Sequence, residues 1–190
     1  MAIHWGIDGW PNGWADKSWG LLILPCFNLG LAALSAVLPR FDSRLRSYNP
    51  ETRASVGRVL GIIGLATTCF LSAMALLIDA MALGWKFDVL FVVNLGVLLL
   101  FVVLGNYLPK LRPNRFAGIR TPWTLKSPEV WIRTHRLFGR IMLLGSLALI
   151  PFCLFLPDIW YMPLFITCVI LLTFGSMIYS YRCYRSLPSG

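Results

Sequence analysis

The sequence predicts an all-α integral membrane helical bundle, with five transmembrane helices and a structured cytoplasmic loop. Three observations carry this expectation. The first is composition: 57% of the 190 residues are hydrophobic and only 13% are charged. A soluble domain usually carries about 25% charge, because most of its surface must satisfy water. The second is a set of five apolar runs, at residues 19–38, 59–80, 88–108, 137–156 and 159–181. A helix needs about 20 mostly apolar residues to cross ~30 Å of hydrocarbon, and each run meets that length. The third is where the positive charge falls.

The net charge is +9, from 17 basic and 8 acidic residues. The connection after the first run holds Arg40, Arg44, Arg46, Arg53 and Arg58. The connection after the third holds Lys110, Arg112, Arg115, Arg120, Lys126, Arg133, Arg136 and Arg140, and the tail adds Arg182 and Arg185. Only Lys17 and Lys86 fall on the alternate side. Positive residues stay cytoplasmic, so a membrane protein with its N-terminus outside and its C-terminus inside is expected. Basic residues at membrane edges are drawn to anionic head groups, at about 1 kcal/mol each near the surface. Membrane lipids are therefore the expected partners, and no direct nucleic-acid partner is needed to explain the charge. The N-terminus is polar and tryptophan-rich rather than basic and then apolar, so no cleavable signal peptide is expected.

The chain divides accordingly into an extracytoplasmic segment (1–18), three spans (19–108), a cytoplasmic loop (109–136), and two spans with a cytoplasmic tail (137–190). A weak repeat runs through it. Leu38-Pro39-Arg40 parallels Leu108-Pro109-Lys110, and Gly57-Arg58 parallels Gly139-Arg140. Two hairpins of like orientation would form a parallel repeat of the kind seen in some transporters.

The loop at 109–136 is the most informative stretch. Its prolines and Gly118 forbid a long helix through the first part. Ser127 before Pro128 and Glu129 reads as an N-cap with proline at the first helical position. A helix from Pro128 places Trp131, His135 and Phe138 on one face. Such an amphipathic lead-in is expected at head-group level, its tryptophans in the interface and its arginines on phosphates. The turn-rich element from Gly118 to Trp123 has the composition of a segment that holds a fixed shape.

Asn114, the run Gly118-Ile119-Arg120-Thr121-Pro122-Trp123-Thr124-Leu125, then Trp131, His135-Arg136 and Gly139 resemble the motif of the SdpI family of bacterial membrane proteins. Ile3-His4-Trp5-Gly6, Gly9, Pro11, Gly13-Trp14 and Lys17 resemble the extracytoplasmic motif of the same family. The resemblance implies immunity to a secreted, membrane-active toxin peptide and signal transduction through a cytoplasmic transcriptional repressor, without catalysis. It points to His4, Trp5, Gly9, Pro11, Trp14, Asn114, Gly118, Arg120, Thr121, Pro122, Trp123, Trp131 and His135 as motif or partner-binding residues. Family members usually have six spans, with a further helix before the His-Trp motif, whereas five are expected here.

Other candidates are weaker. His4, Asp8 and Asp16 could supply metal ligands, but zinc needs three or four converging groups and the chain has two histidines. No metal or cofactor is expected. Asn28 and Asn94 lie within spans, where an amide needs a partner, and helix–helix contact outweighs a transport path. Asp79, Asp88 and Asp158 fall at outer ends, which removes the usual mid-membrane carboxylate of proton-coupled transport. Gly57, Gly61 and Gly64 suggest close packing of the second span. Four of the five cysteines sit in apolar stretches, without a C-x-x-C pair. Hydrolase, P-loop and dinucleotide fingerprints are absent, so no enzyme is expected. The alternatives are a small transporter or lipid-binding channel and, further off, an intramembrane enzyme using Arg120 and His135. The oligomeric state is left open.

Overall fold

A computed structural model describes residues 1–6 and 10–187. Two short strands, β1 (Ala2–Trp5) and β2 (Pro11–Trp14), pair antiparallel. The helices follow in order: α1 (Lys17–Phe41), α2 (Ser43–Arg46), α3 (Pro50–Ala82), α4 (Val89–Tyr107), α5 (Pro122–Lys126), α6 (Pro128–Phe155) and α7 (Asp158–Arg185). A single 3-10 turn, Leu108–Lys110, extends α4. Five of these helices are long and apolar enough to cross a membrane: α1, α3, α4 with its turn, α6 and α7. The protein is an all-α membrane bundle.

Polar groups at the helix starts determine where three of the long helices, α3, α4 and α6, begin. Asn49 Oδ1 accepts from Thr52 N at 2.9 Å ahead of Pro50, and Asp88 Oδ1 accepts from Phe91 N at 3.0 Å. Ser127 Oγ accepts from Val130 N at 3.3 Å, with Pro128 in the first turn of α6. Each cap satisfies a backbone donor that has no partner within its own helix. Pro25, Pro39, Pro151 and Pro163 lie inside spanning helices, a placement that membrane helices tolerate when neighbours satisfy the freed carbonyls.

Apolar side chains coat the outside of the spans. Leu29 is 72% exposed, Leu76 69% and Phe155 84%, the inverse of a soluble protein, so these helices contact lipid. Cys26 and Cys69 also lie on the exposed surface, whereas Cys153 and Cys183 are buried.

The two most extensive helix pairings are α4 on α6 and α1 on α3. The first rests on two glycines. A Cβ on Gly105 would stand 2.5 Å from Leu143 N and 2.8 Å from Gly139 O, and a Cβ on Gly139 would stand 2.9 Å from Gly105 O. The two backbones touch, and in a membrane such close van der Waals packing drives helix association. The second pairing does not reproduce this contact. A Cβ at Gly57 or Gly61 meets nothing within 4 Å, and only Gly64 is close to α1, 3.1 Å from Ser35 Oγ. The close packing expected at Gly57 and Gly61 therefore falls instead at Gly105 and Gly139, which sequence spacing alone does not single out. Gly57 and Gly139 correspond in the repeat but sit in unlike surroundings.

Asn28 Nδ2 donates to Ser72 Oγ at 2.8 Å and to Thr68 O at 3.2 Å, tying α1 to α3. Asn94 Nδ2 reaches Met162 Sδ at 3.1 Å, tying α4 to α7. Both amides face neighbouring helices. Interhelical hydrogen bonds in a membrane average about 0.6 kcal/mol. Asn28→Ala is accordingly expected to cost about that much in a reversible unfolding titration in bicelles. A loss several times larger would show that the amide does more than join two helices.

Candidate functional site

The loop between α4 and α6 folds into a compact head on the basic side of the bundle, and the head is built from the backbone outward. Asn114 is fully buried. Its Oδ1 accepts from Phe116 N and Ala117 N, each at 2.8 Å, and its Nδ2 donates to Arg112 O at 3.0 Å and Ala117 O at 3.1 Å. Short polar side chains of this type replace missing backbone partners in turns. Gly118 follows with φ +109°, a conformation that favours glycine.

Gly118 also makes room for a histidine. A Cβ at this position would lie 2.3 Å from His135 Nε2. That nitrogen accepts from Ile119 N at 2.9 Å, while Nδ1 sits 2.8 Å from Trp131 O. A ring nitrogen that accepts an N–H carries no proton, and one facing a carbonyl must donate. His135 is therefore the neutral Nδ1–H tautomer, a strut between α6 and the loop. Trp131 stacks on it, with ring centroids 4.1 Å apart, and donates from Nε1 to Leu111 O at 2.8 Å.

This arrangement corrects the expected lead-in. Trp131 and His135 are fully buried within the protein and do not lie in the membrane interface. Trp131 joins Leu45, Val56, Val59, Leu60 and Leu111 in a core that resembles that of a soluble domain.

Thr121 caps α5 reciprocally with Thr124: Thr121 Oγ1 accepts from Thr124 N at 3.2 Å, and Thr124 Oγ1 accepts from Thr121 N at 2.9 Å. Thr121 Oγ1 also meets Ser180 Oγ of α7 at 2.9 Å. Trp123 packs on Tyr181 of the same helix, centroids 5.1 Å apart. Pro122 begins α5 and is exposed. Arg120 is exposed too, with neither a hydrogen bond nor an ion pair among the described residues. Its neighbours hold the loop in shape while Arg120 itself stays on the exposed surface.

The connection between α1 and α3 supplies partners that the sequence did not mark. Asp42 is fully buried; its Oδ1 accepts from Arg44 N at 2.8 Å and its Oδ2 from Arg115 N at 2.7 Å. Arg44 Nη2 donates to Leu125 O at 2.7 Å, and the Tyr48 hydroxyl donates to Pro113 O at 3.1 Å. Burial pushes the Tyr48 phenol above its ordinary pKa, against the pull of the Arg112 and Arg44 cations, so it remains a donor. The aspartate, arginine and tyrosine join the two basic connections into one unit.

The other predicted residues are at the opposite end of the bundle. His4 and Pro11 lie in the β1–β2 hairpin, with His4 Nδ1 bonded to Asn12 Oδ1 and Trp5 paired with Pro11. Gly9 and Asp8 lie outside the described residues. Among the described residues no three His, Cys, Asp or Glu side chains converge on one point. Trp14 is 69% exposed, and Trp10, Trp19, Trp85 and Trp160 are similarly exposed at this end. Exposed tryptophans gathered at one end of a bundle mark a membrane–water interface. The structure thus separates the predicted site into two groups, the hairpin at one end and Asn114 to His135 at the other.

Residues 110–180 match the model of the SdpI/YfhL protein family, and residues 1–29 match a domain of unknown function (DUF1648). Immunity protein SdpI of Bacillus subtilis (strain 168) is 26% identical over 106 residues, which cover 56% of this chain and 51% of that protein. The chain thus spans about half the length of the curated relative it matches. No solved structure matches it.

Proposed function

We propose that the chain acts as a member of the SdpI/YfhL family, whose model its residues 110–180 match, and that it confers immunity to a membrane-active toxin peptide, or relays the peptide's presence to a cytoplasmic transcriptional repressor. The observation that carries this reading is the head itself. A loop that buries a tryptophan, a neutral histidine and an asparagine, yet leaves Arg120 free, suits a surface that presents a fixed shape to a partner. The partition of basic residues supports the head facing the cytoplasm and the tryptophan-rich hairpin facing outward, toward toxin and lipid. A transport reading has less support, because Asn28 and Asn94 bond to neighbouring helices.

The test removes the gene and challenges the cells with peptides secreted by the same or neighbouring strains. The wild-type gene is expected to restore survival. Arg120→Ala is expected to abolish protection while the protein reaches the membrane at an unchanged level. Full protection by that variant would overturn the assignment of Arg120.

A further inference from the structure

Beside the head lies a cleft of about 290 Å³, lined by Arg44, Ser47, Tyr48, Pro113, Leu125, Lys126 and Pro128. It opens where the two basic connections meet, and each contributes one cation. Arg44 donates one guanidinium nitrogen to Leu125 O, and Lys126 is exposed with no bond of its own among the described residues. No carboxylate lines the cleft. Nearby Asp42 is buried and already accepts two backbone N–H groups, and Glu129 is paired with Arg133. Neither cation is ion-paired among the described residues, so both remain available to an anion. Pro113, Leu125 and Pro128 add apolar walls and Tyr48 an aromatic edge, which suit a peptide better than a bare ion.

The depth of the cleft decides where its ligand comes from. Pro128 precedes the fourth apolar run, which starts at Leu137, by nine helical positions. At ~1.5 Å of rise per residue that is about 13 Å. The head-group layer of one leaflet is only about 5–8 Å thick, so the cleft lies beyond the lipid phosphates. We infer that the Arg44–Lys126 cleft binds an acidic peptide segment of a soluble cytoplasmic protein through its carboxylates. The inference rests on the proposed inward orientation of the head and is independent of any toxin.

The experiment uses the full chain in nanodiscs of zwitterionic lipid and a fluorescent, glutamate-rich decapeptide as probe, read by anisotropy. Wild-type protein is expected to bind it. Lys126→Glu is expected to weaken binding by about tenfold or more, on the order of one lost charge-assisted hydrogen bond. Lys86→Glu, the same charge change at the opposite end, is expected to alter it less than about twofold. Absence of wild-type binding, or equal losses in both variants, would overturn the site. Displacement of the peptide by phosphatidylglycerol added to the nanodiscs would assign the cleft to lipid and overturn the peptide. Toxin protection is scored separately in cells, so loss of the site and loss of the immunity reading are distinguishable.

Discussion

Gly118→Ala is expected to dismantle the head while leaving the spans inserted. The added methyl meets two obstacles together. At φ +109° an L-residue is strained by about 1–2 kcal/mol, and its Cβ would lie 2.3 Å from His135 Nε2. Moving the ring aside leaves Ile119 N–H without its acceptor, at about 1–3 kcal/mol for a buried donor. The total, about 2–5 kcal/mol, falls on a loop whose core rests on the adjoining Trp131. Limited proteolysis of inside-out vesicles should then cut between residues 112 and 121 much faster than in the wild type. Gly145→Ala, where a Cβ meets nothing within 4 Å, should leave the pattern unchanged. Equal resistance in both variants would mean that the head does not depend on this contact.

Gly105→Val is expected to part α4 from α6. Its Cβ would stand 2.5 Å from Leu143 N and 2.9 Å from Leu143 Cα, backbone atoms that cannot turn aside as a flexible side chain does. Overpacking of this kind costs about 3 kcal/mol, at the upper end of the usual range. A comparably large fall in unfolding free energy in bicelles would express it. Gly57→Val supplies the contrast, since that position faces open space, and a change under about 0.5 kcal/mol is expected there. If both valines destabilise equally, the glycine contact does not hold the pair.

The five spans were legible because a bilayer accepts few backbone solutions and imposes a length of about 20 residues. Their ends were less so. The second apolar run starts at residue 59, yet α3 begins at Pro50, because an apolar window passes over a polar first turn even where Asn49 and Pro50 mark it. The N-terminal hairpin has no clear sequence signal, because its pairing is irregular between Ala2, His4 and Trp5, which breaks the two-residue alternation of a strand. The loop from Asn114 to Trp131 was legible in its local chemistry: turn residues, the Ser127 cap and the Gly118 kink. Its long-range partners were not. Arg44 meets Leu125 across 81 positions and Thr121 meets Ser180 across 59, and no local pattern encodes either bond. A tryptophan beside a span usually goes to the membrane interface, whereas the carbonyl of Leu111 offers the Trp131 indole an internal acceptor.

The bond from Asp42 to Arg115 N joins groups 73 positions apart, which has a consequence for biogenesis. Chains leave the ribosome at about 5–20 residues per second, so the carboxylate emerges roughly 4–15 s before the amide it will accept. Through that interval the first two spans can be integrated while the head has no second half. The head is therefore a late product of synthesis, and a ribosome stalled before residue 115 would leave a membrane-inserted hairpin with its acidic clasp open to water.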